Sequence, residues 1–162
     1  MITAGIITIS DRGWRGERED ISGREARKLL KGVSIEVLDY EIIPDEKEII
    51  VDRLIEFTDK RRLDLIVTTG GTGVSPRDVT PDATLEVIEK EVPGMAEAMR
   101  RESAAMTPHA MISRAVTGIR KNSLIINLPG SPKSVRENLT VILPALRHAL
   151  EKIKGDDSEC GV

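Results

Sequence analysis

The sequence predicts an α/β fold: a single three-layer domain whose mostly parallel sheet carries helices on both faces. Three observations predict it. Short apolar runs recur along the chain, at 4–10, 35–43, 63–69 and 123–127, each closed by turn residues. Segments with helical apolar spacing separate them. The core must also be aliphatic, because hydrophobic residues make up 40% of the 162 positions and aromatics only 2%. Such a diet suits strands buried on both faces. The length fits one domain, since domains run roughly 100–200 residues. We place the domain at 1–155 and expect a flexible tail at 156–162.

The elements follow in order. Residues 4–10 (AGIITIS) read as a strand and the glycine-containing, charged stretch 11–21 as a loop. Residues 22–30 read as a helix, with Ser22 and Glu25 at capping-box spacing. The β-branched alternation of 35–43 predicts a strand. Residues 45–60 predict a helix capped by Asp45, with Glu48 at the matching position and Ile50, Leu54 and Phe57 as its apolar stripe. Residues 63–69 (LDLIVTT) predict a buried strand, and 70–79 a glycine and proline loop. Thr80 is the expected N-cap of a helix running to about residue 91, with Pro81 at its first position and Asp82 at its positive end. Pro93-Gly94 should break it before a further helix at 95–105. Residues 109–119 read as part helix and part strand, and 123–127 as a buried strand. A last helix starts at Ser131-Pro132 with apolar positions Val135, Leu139, Ile142, Leu146, Leu150 and Ile153. Pro144 should kink or divide it.

Composition removes several classes. The charge is 24 basic against 27 acidic residues, net −3, with none of the basic excess of a nucleic-acid binder. No apolar run approaches the roughly 20 residues of a membrane helix, and the first residues carry no targeting pattern. A cytoplasmic protein is expected. Cys160 is the one cysteine, so no intrachain disulfide forms. His109 and His148 lie far apart with no clustered cysteine, against a zinc site.

In parallel sheets, ligands bind where strands end and loops lead into helices. The loops after Ser10, Thr69 and Asn127 and the 42–45 junction qualify. Gly70, Gly71 and Gly73 let backbone amides approach an anion closely, and Thr69, Thr72 and Ser75 add hydroxyls. The following helix adds its positive end. The spacing is that of neither a P-loop nor a dinucleotide fingerprint. Pro129, Gly130, Ser131, Pro132 and Lys133 form a second loop at the same edge. Ser10 and Asp11 either contact substrate or close a salt-bridged turn with Arg12. Asp45 and Asp78 would repel a phosphate ligand unless a cation lies between them. Mg²⁺ is the expected cation, bound directly or through water by one or two carboxylates and phosphate oxygens. This suggests phosphoryl or nucleotidyl transfer, with Arg77 and Lys133 as the nearest assisting cations.

Thr68-Thr-Gly-Gly-Thr-Gly73, Arg77-Asp-Val-Thr-Pro-Asp-Ala-Thr84 and Asn127-Leu-Pro-Gly-Ser-Pro-Lys133 resemble the molybdopterin-binding family, and within it the Mog-type branch. Ile9-Ser-Asp-Arg12 and Ile43-Pro-Asp-Glu46 match as well, so the resemblance spans nearly the whole chain. It implies a homotrimer that transfers AMP from ATP to the terminal phosphate of molybdopterin, with Mg²⁺ required and pyrophosphate released. A separate metal-insertion protein would act downstream. It also implies that Asp45 and Asp78 are essential, and that residues 70–73 and 129–132 bind the ligands. Ser113-Arg114 resembles a further family tract of little functional weight. The alternatives are a non-catalytic molybdopterin carrier, a MoaB-type paralogue, or a scaffold domain. The complete Arg77–Thr84 segment favours the enzyme over the paralogue.

Overall fold

Two strands, β3 (Leu65–Thr69) and β6 (Ser123–Leu128), are buried at every position. Only central strands covered on both faces can be so. They sit at the middle of a six-stranded sheet in a computed structural model that describes residues 1–158. The other strands are β1 (Ile2–Ile9), β2 (Ile35–Ile43), β4 (Lys90–Glu91) and β5 (Thr117–Arg120), in the order β2-β1-β3-β6-β5-β4. The first four in that order run parallel; β5 and β4 are antiparallel additions. The α/β, mostly parallel architecture predicted from sequence is the one observed.

The helices are α1 (Asp11–Trp14), α2 (Ile21–Gly32), α3 (Lys47–Ile55), α4 (Thr80–Val87), α5 (Pro93–Ala104) and α6 (Pro132–Ile153). Successive strand residues point to opposite faces, so neighbours on β1 feed different cores. Ile6 packs with Leu30 of α2 and Leu139 and Leu146 of α6. Ile7 packs with Ile50 and Leu54 of α3 and with Ala83 and Val87 of α4. The chain leaves β1 towards β2 on one side and returns to β3 on the other. This makes the β1/β3 boundary the switch point, where a crevice opens between loops that diverge. Thr8 lies opposite both Ile42 and Thr69, and Thr69 opposite Leu128. The carboxyl ends of four parallel strands are therefore level, and their loops share one edge.

Several local expectations are corrected. Residues 11–21 are not all loop: Ser10 caps α1, its hydroxyl accepting from Gly13 N–H at 3.0 Å. Asp20, not Ser22, caps α2, accepting from Gly23 N–H at 3.0 Å. Asp45 does not cap α3, because its carboxylate is turned to the Asp11 amide; Glu46 holds the cap position and makes no side-chain cap bond. The predicted helix continues to residue 60 as a π-helical turn, Glu56–Lys60. Val79 precedes α4, while the Thr80 hydroxyl donates to the Gly70 carbonyl instead of capping. That helix stops at Val87, and the chain extends into the edge strand β4. Pro93-Gly94 does not interrupt a helix but opens α5, where proline's fixed φ suits the first turn. Residues 108–112 form a 3-10 turn (Pro108–Ile112) and 117–120 a strand, so the mixed expectation there is met. α6 is not divided at Pro144: six buried side chains from Val135 to Leu150 hold one helix across the missing N–H. Residues 156–158 fold back on the end of α6, with Asp156 N–H donating to Glu151 O at 3.1 Å. The rest of the expected tail, Cys160 included, lies outside the described residues.

Gly5 marks a register shift between β1 and β2. A Cβ there would lie 2.5 Å from Phe57 Cδ2 and 2.8 Å from Leu63 Cδ1, both in buried side chains. Gly5→Ala is therefore expected to destabilise the fold by about 1–3 kcal/mol, the usual cost of overpacking a core. Urea denaturation measures this; an unchanged midpoint would contradict the packing described.

Candidate active site

The crevice at the switch point has a volume of about 320 Å³. It is lined by Thr8, Ser10 and Gly13 from the end of β1 and α1, and by Asp45 after β2. Thr69, Gly70, Gly71 and Asp78 come from the β3 loop, Gly130, Ser131 and Pro132 from the β6 loop, and residues 18–22 from the lead into α2. Two helices, α2 and α6, begin at its wall. Each presents the positive end of its dipole, which suits an anion, although Asp20 and Ser131 each cap one first-turn amide.

The glycine loop adopts its course for stated reasons. Gly70 and Gly71 have φ of +102° and +68°, a region side chains disfavour. A Cβ on Gly70 would lie 2.3 Å from the Ile9 carbonyl oxygen, and one on Gly71 2.4 Å from Thr80 Oγ1. Buried hydrogen bonds fix the loop to the sheet. Asn127 Nδ2 donates to Thr68 Oγ1 at 3.0 Å and to Thr84 Oγ1 at 2.9 Å. Thr84 Oγ1 donates to Thr80 O at 2.9 Å, and Thr80 Oγ1 to Gly70 O at 2.9 Å. Thr69 Oγ1 donates to Pro129 O at 2.7 Å, and Ser22 Oγ to Gly130 O at 2.5 Å, which ties the two loops and α2 together.

The charged groups divide into frame and cleft. Asp11 and Asp45 clasp each other's backbones: Asp11 N–H donates to Asp45 Oδ2 at 2.9 Å, and Asp45 N–H to Asp11 Oδ1 at 3.0 Å. Arg77 donates to both Asp11 oxygens, at 2.7 and 3.1 Å, and to Glu46 at 2.8 Å. This guanidinium holds the Asp11 carboxyl below the usual carboxylate range. Asp45 moves the other way. Half-burial raises its pKa first, and the negative charges of Asp11 and Asp78 add to the rise. Asp78 accepts from Ser75 N–H at 3.0 Å and Ser75 Oγ at 2.8 Å. Arg114 staples the loop's far side, donating to Gly73 O at 2.9 Å, to Asp78 O at 2.6 Å and to the Asp82 carboxylate. Asp82, expected to act on the helix dipole, is thus also an ion-pair partner, and Arg114 lowers its pKa.

The structure brings Ser10, Asp45, Thr69, Gly70, Gly71, Asp78, Gly130, Ser131 and Pro132 to this one cleft. It separates others. Thr72, Gly73 and Pro129 line an adjoining cavity of about 230 Å³, together with Ser103, Ser113 and Asn138. Of the two readings left open for Asp11, the salt-bridged turn describes its side chain, although the partner is Arg77 and not Arg12. Ser75 serves Asp78. Lys133 is 78% exposed beside Glu137 and is not among the residues that line either space. Arg77 is committed to its carboxylates. Sequence reasoning missed Asn127's role, Asp20 and Ser22 in the cleft wall, and Arg114 as a staple. The available signal was weak: a polar residue inside an apolar strand, and an Asp-x-Ser-Gly run ahead of a helix. No group of three or more metal-binding side chains gathers among the described residues. Two carboxylates facing a phosphate-sized space still fit Mg²⁺, which prefers one or two carboxylates and completes its shell with phosphate and water.

Comparison with known proteins agrees with this geometry. The model of the family described as "Probable molybdopterin binding domain" matches residues 5–148. A curated molybdopterin adenylyltransferase from Helicobacter pylori (strain J99) is 44% identical over 157 residues, covering 96% of this chain and 89% of that protein. The solved molybdopterin biosynthesis enzyme MoaB from Thermus thermophilus superposes with a TM-score of 0.91 at 49% identity, covering 96% of this chain and 98% of that one. The tungsten cofactor synthesizing protein MoaB from Pyrococcus furiosus gives 0.87 at 33% identity, over 94% and 97%. With the glycine loop, the two aspartates and the β6 loop meeting at one sheet edge, the chain belongs to the molybdopterin-binding domain family of molybdenum cofactor biosynthesis.

Proposed function

We propose that the protein is a molybdopterin adenylyltransferase. The observation that carries this reading is the placement of Asp45 and Asp78 across the glycine loop in one cleft. A terminal phosphate oxygen of molybdopterin attacks the α-phosphorus of ATP. The bond from that phosphorus to the α–β bridging oxygen breaks, pyrophosphate leaves, and AMP is joined to the pterin phosphate. The amide ends of α2 and α6 bind phosphate oxygens, and the rigid glycine loop holds the two reactants in line. Asp45 and Asp78 would hold Mg²⁺, directly or through water. When bound, it offsets the charge on the transferring group. The two adjoining spaces suit a two-substrate reaction. The carboxylate-lined cleft takes the polyphosphate, and the cavity with Ser103, Ser113 and Asn138 offers hydrogen-bonding groups to a heterocycle. The proposal includes a cytoplasmic homotrimer that passes its product to a metal-insertion protein.

A second reading, a MoaB-type paralogue that binds the pterin without efficient transfer, is favoured by the 49% identity to the Thermus MoaB. It predicts pterin binding with no ATP-dependent release of pyrophosphate.

Three outcomes test the transferase. Asp78→Asn keeps an acceptor for the Ser75 amide, so it should fold normally yet lose about a hundredfold or more in turnover. Turnover near that of the parent would remove the role. Asp45→Asn should lose activity while its melting temperature at pH 7 holds or rises. The folded-state pKa of Asp45 is raised, so its ionised form disfavours the folded state above that pKa, and the amide removes the cost. A fall in melting temperature would point to a structural role instead. The same raised pKa should place the acid limb of activity above that of an ordinary aspartate. More Mg²⁺ should shift that limb back towards acid, because metal competes with the proton. A limb insensitive to Mg²⁺ would argue against metal binding at Asp45.

A further inference from the structure

On the transferase reading the cleft receives the most highly charged part of its substrates, yet its charged lining is mainly acidic. Among the described residues, Glu19, Asp20, Asp45 and Asp78 all contribute to its wall, against a single cation, Arg18. The other cations near the loops either are committed or, like Arg12, do not line the cleft. Arg77 is bound by Asp11 and Glu46, Arg114 by Asp82 and two loop carbonyls, and Lys133 sits beside Glu137, outside the cleft. Glu19 is neutralised from outside by Arg24 at 2.6 Å, and Asp20 is engaged by Thr8, Tyr40 and the Gly23 amide. Among the described residues, Arg18 makes no ion pair or hydrogen bond. It lies on the exposed stretch between α1 and α2, at the rim, whereas Asp45 is half-buried on the floor.

We infer that Arg18 binds the β- and γ-phosphates of the nucleotide, the pair that departs as pyrophosphate. This rests on the adenylyltransferase reading and names a part of the site which that reading leaves open. Attack occurs at the α-phosphate, between the two aspartates. The leaving group must reach water, so it lies on the rim side, where Arg18 stands. A guanidinium there can grip two phosphate oxygens at once, which a lysine can do only as a point charge. It also supplies positive charge that four carboxylates would otherwise deny a polyphosphate. Being exposed, its contribution should weaken with added salt.

The test is equilibrium binding of ATP, AMP and inorganic pyrophosphate, each with Mg²⁺, to the parent protein and to Arg18→Gln, Arg18→Lys and Arg27→Gln. Arg27 lines a separate groove at the amino ends of β1 and β2 and serves as control. Arg18→Gln should weaken ATP and pyrophosphate by about tenfold, the value of one charge-assisted contact. AMP should change by less than about twofold, and Arg18→Lys should recover part of the loss through charge alone. An equal loss for AMP, or no loss for any ligand, would overturn the assignment while the transferase reading stands. If the parent bound neither ATP nor pyrophosphate, both would fall together. Circular dichroism of Arg18→Gln should match the parent, as expected for an exposed side chain without partners.

Discussion

A chain of buried hydrogen bonds, from Asn127 through Thr84 and Thr80 to the carbonyl of Gly70, is the constraint on which the site depends. Each member is fully buried or nearly so, and a buried polar group left unpaired costs about 1–3 kcal/mol. The network is therefore stable only when complete, and completing it fixes where the glycine loop leaves β3. Asn127 also accepts from the Val116 amide at 3.1 Å, which ties in the segment leading to β5. With that exit fixed, Gly70 must pass the Ile9 carbonyl at a distance no side chain tolerates. A local polar network in the sheet thus determines the course of the glycine loop.

From that fixed loop the electrostatics follow. Arg77 and Arg114 are both spent on the frame, one across to the β1 and β2 loops and one along the back of the glycine loop. Their hydrogen bonds hold the backbone segments that carry Asp45 and Asp78. Burial is the main cause of the raised pKa of Asp45, and the nearby carboxylates of Asp11 and Asp78 add to it by repulsion. A site that keeps such repulsion in place is prepared for a cation and an anionic ligand together. Stability is given up locally for function, and the two aliphatic cores beneath supply the rigidity to bear it.

The fold was legible because it is written in composition and period. Aliphatic runs such as 63–69 and 123–127 read as buried strands, and their alternation with helical patterns points to a mostly parallel sheet. The cleft was legible in part, because the strand-end rule and the glycines of residues 70–73 mark the sheet edge at which it lies. What stayed hidden depended on contacts far apart in sequence. Asp45 has good capping spacing, yet Asp11, distant in the chain, takes its carboxylate. Lys133 follows the β6 loop, and the first turn of α6 leaves it exposed beside Glu137. Asn127 looked like the end of a strand until the threonines facing it across the sheet were in place. Local spacing cannot show which partner wins such competitions.

Membership of the family leaves one distinction to be drawn, between transferring AMP and merely holding the pterin. Release of pyrophosphate, on mixing the purified protein with ATP, Mg²⁺ and anaerobically prepared molybdopterin, draws it most directly. The account predicts release that requires all three components and matches the adenylylated pterin formed. Tight pterin binding with no pyrophosphate would contradict it and make the two aspartates part of a binding site alone.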